Sequence, residues 1–169
     1  MTEIRIESLE DTKRLARWFA QHLPRHRFVR ALLLRGPMGS GKTTFACFLA
    51  RFLPGGEAAE TGSPSFTLCN RYPTTPAMLH GDLYRCPASP PDELTEALQD
   101  AGMLTVLEWA EFLPKAELPE EFLDILFTPC ENVRLLTVSA AGRGAKKLLR
   151  ELRRQWAETT GKKQEASLL

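Results

Sequence analysis

The sequence predicts a three-layer α/β fold in which a mainly parallel central sheet carries helices on both faces and adds antiparallel strands towards the C-terminus. Segments of strand character alternate with segments of helical periodicity, which is typical of parallel strands joined by helices. Residues 31–34 form an uninterrupted apolar run, ALLL, as expected of a strand that is buried on both faces. Two strand-like segments near the C-terminus are separated by a short turn, which favours an antiparallel pair there.

The first two predicted elements are a short strand and an amphipathic helix. Residues 4–6 place an isoleucine on either side of an arginine, which is the alternation of a half-buried strand. Ser8, followed three residues later by Asp11, is typical of a helix N-terminus, because such side chains accept hydrogen bonds from free backbone amides. Apolar side chains then recur at helical spacing as far as Leu23, and Pro24 ends the predicted helix.

A second strand and a second helix follow, with a glycine-rich loop between them. The predicted strand covers residues 28–34 and stops at Gly36. After Gly41, apolar residues recur at the spacing of one helix face until Pro54 interrupts the pattern. The residues of this face are Phe45, Phe48, Leu49 and Phe52.

The remaining elements continue the alternation of strands and helices. Further strands are predicted at residues 65–72, 77–80, 104–108, 122–127 and 133–139, with a helix at 92–99. The turn PCEN, at residues 129–132, joins the last two strands. A final helix is predicted to bury Leu148, Leu149, Leu152 and Trp156 and to expose its basic residues.

Length and composition predict one domain. The chain has 169 residues, 43% of them hydrophobic and 25% charged, so we predict a single domain over residues 1–160 and a flexible tail over 161–169. No apolar run reaches the roughly 18 residues of a membrane-spanning helix, so no membrane contact is expected. The charged N-terminus lacks the pattern of a secretory signal, and the four cysteines lack metal-ligand spacing. We therefore expect a cytoplasmic protein with reduced thiols.

Charge is distributed unevenly along the chain. Residues 92–124 contain ten Asp or Glu and one basic residue, Lys115, whereas residues 143–163 contain eight Lys or Arg and only two acids. One interpretation is a solvated acidic face and a solvated basic helix. The other is a surface for a protein partner or for RNA, because clustered positive charge attracts phosphate backbones.

A phosphate-binding loop follows the second strand. Residues 36–43 read GPMGSGKT and match the pattern GxxxxGK[ST] without a gap. Glycines let the backbone turn tightly around an anion, and the helix that follows adds its positive N-terminal end. The predicted binding residues are Gly36, Pro37, Met38, Gly39, Ser40, Gly41, Lys42, Thr43 and Thr44. We predict that this loop binds ATP together with Mg²⁺.

Four side chains are predicted to carry the chemistry. Lys42 would contact the β and γ phosphates, and the hydroxyl of Thr43 would bind Mg²⁺. A carboxylate is also expected at the end of a neighbouring strand, because Mg²⁺ prefers oxygen ligands. Asp82 and Glu108 are the candidates, and we favour Glu108 because it directly follows an apolar strand. The alternative for Glu108 is an exposed carboxylate without a role.

Two neighbouring residues allow more than one interpretation. His80 is either a base for the attacking water or a packed, hydrogen-bonded side chain. Trp109 either anchors a partner or forms a wall of the pocket.

The motifs GPMGSGKTTF, SPSFTL, HGDLYR and LEW, taken in this order, resemble those of the TsaE family. These are the small ATPases of bacterial tRNA threonylcarbamoyladenosine synthesis, and the resemblance runs from about Thr12 to Gly144. It implies a P-loop NTPase-like fold and an ATPase that works with the carbamoyl-transfer enzyme TsaD and its dimerising relative TsaB. Together they would place threonylcarbamoyl on adenosine 37 of tRNAs that read ANN codons.

The resemblance also implies roles for individual residues. Thr43 and Glu108 would hold Mg²⁺, and Asp82 lies in the segment implicated in hydrolysis. Thr12 matches a threonine near the adenine, and Arg134 matches an arginine at the start of a late strand.

Two residues depart from the family pattern. Pro37 stands where the family commonly has Asp, and Ser65 stands where Thr is more usual. Proline has no amide hydrogen to donate, but this position is not one where an essential donor is expected. Ser65 keeps a hydroxyl in a segment that is a candidate for sensing the nucleotide.

Two other functions remain compatible with a phosphate-binding loop. A small-molecule kinase usually has an arginine-containing lid, whereas the corresponding region here is acidic. A nucleotide-gated binding module would hydrolyse little ATP, and a GTPase version of it would be expected to contain NKxD, which does not occur. The basic last helix, with Lys146, Lys147 and Arg150, is a candidate contact for tRNA.

Overall fold

The computed structural model describes residues 1–64, 67–87 and 89–166, with side chains as far as Trp156. Its strands are β1 (Thr2–Ile6), β2 (Ala31–Arg35), β3 (Cys69–Tyr72), β4 (Ala77–Asp82), β5 (Met103–Glu108), β6 (Phe122–Cys130) and β7 (Val133–Ala141). Its helices are α1 (Leu9–His22), α2 (Lys42–Phe52), α3 (Asp92–Gln99) and α4 (Arg143–Ala166). Short 3₁₀ turns lie at Leu23–Arg25, Ala110–Phe112 and Lys115–Glu117. None of the described helices is both long enough and apolar enough to cross a membrane.

The strands form one mixed sheet in the order β1-β7-β6-β2-β5-β4-β3. Its centre is parallel, because β2 pairs in parallel with both β5 and β6, and β4 pairs in parallel with β5. Antiparallel strands flank this centre, with β7 and β1 on one side and β3 on the other. The predicted fold class is thus confirmed, with a parallel core and antiparallel strands towards the C-terminus.

Helices cover both faces of the sheet, and β2 shows why. Leu32 and Leu34 point into a core formed with α1, α2 and α4, whereas Ala31 and Leu33 point into a smaller core formed with α3. All four side chains are fully buried. The apolar run is therefore explained, as predicted, by burial of β2 on both faces of the sheet.

Several element boundaries differ from those predicted. The strand predicted from residue 28 begins at Ala31, and Phe28 is 74% exposed. The predicted four-residue turn is shorter, because β6 continues through Cys130 and Glu131 turns the chain with a φ of 42°. The strand predicted at residues 65–72 begins at Cys69, and residues 65 and 66 lie outside the described part of the chain.

The predicted tail overlaps the last helix. α4 continues to Ala166, and residues 167–169 lie outside the described part. The division into a domain over 1–160 and a flexible tail stays a prediction.

Both predicted features of the first helix N-terminus are present. The hydroxyl oxygen of Ser8 accepts a hydrogen bond from the amide of Asp11 at 3.1 Å. The carboxylate of Asp11 accepts one from the amide of Glu7 at 3.1 Å. These two bonds fix where α1 begins. The first turn of α1 lies beside the N-terminal end of α2, since Leu9 and Thr12 line one cavity together with Gly41 and Thr44.

The N-terminal end of α4 is held by the carboxylate of Glu121, the residue that directly precedes β6. Glu121 accepts hydrogen bonds from the amides of Arg143, Gly144 and Ala145 at 2.8, 3.1 and 2.8 Å. Gly142 precedes them with a φ of 81°, and a side chain there would collide with the Glu121 carboxylate. The sequence pattern did not indicate this cap, because its two parts lie more than twenty residues apart.

We expect the Glu121→Gln variant to unfold more easily near neutral pH, by about 1 kcal/mol, because a charged cap of three amides is lost. Burial raises the pKa of Glu121, but the three backbone donors and Lys146 outweigh it, so the pKa is lowered overall. This contribution to stability is present above the ordinary pKa of 4.5 and is lost as the pH falls through the lower folded-state pKa. Urea unfolding at neutral and acidic pH measures it.

The matched control for this prediction is Glu120→Gln, which makes the same change at the exposed neighbouring residue. We expect that variant to unfold like the wild type. A difference between Glu121→Gln and wild type that did not shrink in acid would contradict the cap's electrostatic role.

Candidate nucleotide-binding site

The predicted phosphate-binding loop joins β2 to α2 in a conformation that requires glycine. Gly36, Gly39 and Gly41 have φ angles of 122°, 75° and 104°, in the left-handed region that side chains rarely adopt. A Cβ atom on Gly36 would also collide with the carbonyl oxygen of Phe127 on β6. α2 begins at Lys42, directly after the last of these glycines, so its free amides face the loop.

The side chain of Lys42 lies inside the loop. It is only 4% exposed, and its Nζ donates to the carbonyl oxygens of Gly36 and Pro37 at 2.7 and 2.9 Å. The same atom lies 4.2 Å from the ring centroid of Trp109. Burial lowers the pKa of Lys42, while nearby carboxylates, Glu108 first among them, oppose that shift. Phosphate oxygens could replace the two carbonyls as partners of this ammonium group.

Glu108 ends β5 next to the loop. It is 2% exposed, and its Oε2 accepts a hydrogen bond from the Thr43 hydroxyl at 2.8 Å. The alternative of an exposed carboxylate is therefore wrong. Asp82 lies beside it in register at the end of β4, is also buried, and accepts a hydrogen bond from the amide of Tyr84 at 2.9 Å. Both candidate acids thus end adjacent parallel strands.

The residues present fit a magnesium ion. Thr43 and Glu108 bring a hydroxyl and a carboxylate together, and such hard oxygen donors suit Mg²⁺. Among the described residues no group of three or more His, Cys, Asp or Glu could hold a metal.

His80 is packed beneath this site and does not face the cavity. It is fully buried, and its Nε2 lies 2.8 Å from Oε1 of Glu108. A base for the attacking water needs to reach that water directly or through one other molecule. Of the two interpretations, the packed, hydrogen-bonded histidine is therefore the one that the geometry supports.

Trp109 forms a wall of a cavity that lies beside the loop. Its φ of 56° is in the left-handed region, which is uncommon for so bulky a residue. Its ring is stacked on Phe112 with centroids 6.1 Å apart and lies 4.8 Å from Tyr84. Because this backbone turn directly follows Glu108, it holds the indole over Lys42 while the carboxylate faces Thr43. The aromatic cluster itself was not apparent from the sequence.

Two adjoining cavities lie at the loop. A cavity of about 320 Å³ lies beside the N-terminal end of α2, and one of about 140 Å³ lies between α1, α2 and β7. The larger is lined by Met38, Gly39, Gly41, Lys42, Thr43, Thr44, Ser63, Asp82, Tyr84, Glu108, Trp109 and Arg134. The smaller is lined by Ile6, Leu9, Thr12, Leu15, Gly41, Thr44, Phe45, Phe127, Arg134 and Leu136.

The two cavities are adjacent, and predicted site residues line both of them. They share Gly41, Thr44 and Arg134, and the guanidinium-bearing side chain of Arg134 lies over Gly41. Thr12, which precedes the four motifs in the sequence, lines the smaller cavity. The structure therefore brings Thr12 and Arg134 to the loop, whereas Ser65 lies outside the described residues.

Comparison with known proteins identifies the family. Residues 6–135 match the family model described as threonylcarbamoyl adenosine biosynthesis protein TsaE. The chain is 39% identical over 112 residues to the tRNA threonylcarbamoyladenosine biosynthesis protein TsaE of Aquifex aeolicus strain VF5, which is 66% of this chain and 78% of that protein. The crystal structure of YdiB from Bacillus subtilis superposes with a TM-score of 0.68 at 28% identity, over 91% of this chain and 95% of that one.

The family match includes the phosphate-binding loop and both candidate acids. It covers most of the chain, and the structural similarity extends over nearly all of it. This chain belongs to the TsaE family of nucleotide-binding P-loop proteins, which takes part in tRNA threonylcarbamoyladenosine biosynthesis.

Proposed function

We propose that this protein is a magnesium-dependent ATPase whose hydrolysis of ATP to ADP and phosphate supports threonylcarbamoyl modification of tRNA. The observation that carries the proposal is that Lys42, Thr43 and Glu108 converge at one end of the sheet. The Thr43 hydroxyl donates a hydrogen bond to Oε2 of Glu108 at 2.8 Å. An ammonium group, a hydroxyl and a carboxylate in this arrangement can position a γ-phosphoryl group and neutralise its charge during transfer.

Catalysis would consist of positioning and charge neutralisation. Lys42 and the free amides of the loop would hold the β and γ phosphates, and Thr43 and Glu108 would hold the metal. Bound Mg²⁺ would neutralise charge that develops on the phosphate oxygens. Asp82, which lines the same cavity, is the residue that we propose to orient the attacking water. No covalent intermediate with the protein is needed.

The two cavities suggest how the whole nucleotide is bound. The larger cavity, which is lined by Lys42, would take the triphosphate, and the smaller would take the adenosine against Thr12 and Arg134. Arg134 lines both cavities, and we propose that its guanidinium contacts a phosphate near the ribose.

Within the cell, we propose that the ATPase acts in complex with TsaD and TsaB. Together they would modify adenosine 37 of tRNAs that read ANN codons, and the ATPase would turn over slowly alone. A cytoplasmic location follows from the tRNA substrate. The four thiols, which are all free in the structure, agree with a reducing compartment.

Phosphate release from ATP tests the proposed activity. We expect slow, Mg²⁺-dependent release by the purified protein and faster release after addition of TsaD and TsaB. Transfer of phosphate to an added metabolite without release to water would instead indicate a small-molecule kinase. Tight nucleotide binding with no release under either condition would indicate a nucleotide-gated binding module.

We further propose that α4 contacts the phosphate backbone of tRNA. Its exposed cations recur every three or four residues and so form one stripe opposite the buried face. They are Arg143, Lys146, Lys147, Arg150, Arg153 and Arg154. The one acid between them, Glu151, contacts His26 at 3.1 Å. Such a stripe, roughly 16 Å long, matches a polyanion better than a mixed-charge protein surface.

Reversing three of these charges, at Lys146, Lys147 and Arg150, is expected to weaken tRNA binding and to reduce its salt dependence. The magnitude of the slope of log K against log salt should fall by about 2 to 3, because three phosphate contacts are lost. Binding measured by fluorescence anisotropy across a salt series gives this slope. The single variants Arg150→Glu and Lys115→Glu change the charge equally, and only the first should matter. Equal binding by the triple variant and wild type would rule out this contact.

A further inference from the structure

We propose that His80 is a positioning residue that orients Glu108 for the metal. The inference rests on the proposed magnesium-dependent function and adds a residue to which no role in it has been given. The carboxylate of Glu108 is held at both oxygens, with Oε1 at 2.8 Å from His80 Nε2 and Oε2 at 2.8 Å from the Thr43 hydroxyl. Fixing one oxygen by a buried partner leaves the other aimed at the loop.

The strand register explains why His80 reaches this oxygen. Asp82 lies opposite Glu108, and His80 lies opposite Val106, in the parallel pair of β4 and β5. Residues two apart on a strand share a face, so His80 is one side-chain repeat deeper than the carboxylate and on the same side of the sheet. Both strands belong to the buried parallel centre, which makes the contact rigid.

The hydrogen-bonding pattern places a ring hydrogen on Nε2 of His80, because the neighbouring carboxylate oxygen of Glu108 accepts it. The other ring nitrogen, Nδ1, is buried and has no hydrogen-bond partner among the described residues. Nε2 is therefore the ring nitrogen at which a hydrogen finds an acceptor. His80 would therefore act as a fixed donor to Glu108.

Loss of this donor would leave Oε1 of Glu108 without its buried partner. The carboxylate would then be held only by the Thr43 hydroxyl at Oε2 and would be free to rotate out of the position that the metal requires. Lys42 keeps its own partners, the carbonyl oxygens of Gly36 and Pro37, so its contact with phosphate would be unaffected. We therefore expect loss of His80 to weaken metal binding selectively, as loss of outer partners does at other metal sites.

The test compares three replacements of His80, of which glutamine and asparagine differ in reach and leucine has no donor. The amide nitrogen of glutamine can occupy the position of the histidine Nε2, whereas that of asparagine falls one carbon short. Mn²⁺, a spectroscopic substitute for Mg²⁺, is titrated into the protein with ADP and followed by electron paramagnetic resonance. We expect Mn²⁺ to bind about 10-fold more weakly to His80→Asn and His80→Leu, and nearly normally to His80→Gln. ADP affinity in EDTA should be unchanged in all three.

Further controls distinguish a positioning role of His80 from a general effect on folding. They also distinguish failure of this inference from failure of the proposed function. Met78→Leu alters the same core two residues away on β4 and should leave Mn²⁺ binding unchanged. Wild-type Mn²⁺ affinity in both His80→Asn and His80→Leu would overturn the inference. So would a parallel loss of ADP affinity in EDTA, which would indicate general damage. Failure of the wild-type protein to bind ADP at all would instead overturn the proposed function.

Discussion

Replacing Lys42 by alanine should lower kcat/KM for ATP by at least about 100-fold, because it removes a preorganised charge from the phosphate site. The ammonium group is buried within the loop and held by two carbonyl oxygens, so no other described side chain occupies its position. Phosphate release gives the rate, and calorimetry gives the affinity for ATP. Both should fall, since Lys42 is expected to contact bound nucleotide as well as the transition state.

The control for this variant is Lys146→Ala, which removes an exposed lysine on α4. It should hydrolyse ATP like the wild type. Removal of Lys42 also removes the desolvation cost of a buried cation, which would change the free energy of unfolding. Urea unfolding of the variant should therefore be measured alongside its activity. A Lys42→Ala protein that folded and still released phosphate at the wild-type rate would exclude the loop as the catalytic site.

Replacing Glu108 by glutamine should remove most of the magnesium-dependent turnover while preserving the shape of the site. The amide retains an oxygen near Thr43 but lacks the charge that a divalent ion requires. We expect kcat to fall by about 100-fold or more, as it does when a group that acts on the transition-state charge is removed. Affinity for ATP in EDTA should change little. A magnesium titration of phosphate release separates these effects.

Two matched variants decide whether Glu108 is the metal-side acid. Glu111→Gln changes an exposed carboxylate that also acts on Lys42 from a distance, and it should be nearly silent. Asp82→Asn should lower kcat without shifting the magnesium requirement, since Asp82 is proposed to act on water. A larger shift in the magnesium requirement for Asp82→Asn than for Glu108→Gln would exchange the two roles.

Much of the fold was predictable because its signals are local. The apolar run of β2 and the glycine-rich loop each lie within a few residues. The edges of the sheet were not predictable, because they depend on distant pairing. Ile4 of β1, for example, lies opposite Leu136 of β7. Periodicity indicates which face of a strand is buried, but it does not indicate the neighbouring strand.

The same distinction applies to the candidate site. The position of Glu108 beside the loop followed from its place at the end of an apolar strand. The contacts that position it did not, because His80 reaches it across a parallel register and Trp109 reaches Lys42 through an unusual backbone turn. The cap of α4 by Glu121 was missed for a similar reason. Such contacts require knowledge of which strands and loops are neighbours.

The most direct test of the central claim is titration of the wild-type protein and Lys42→Ala with Mg²⁺ and a non-hydrolysable ATP analogue, measured by calorimetry and thermal unfolding. We predict saturable binding and a raised Tm for the wild type, and neither for the variant at the same concentrations. Absence of both heat and stabilisation in the wild type would contradict the assignment of the loop to ATP, and the proposed role in tRNA modification would lose its physical basis.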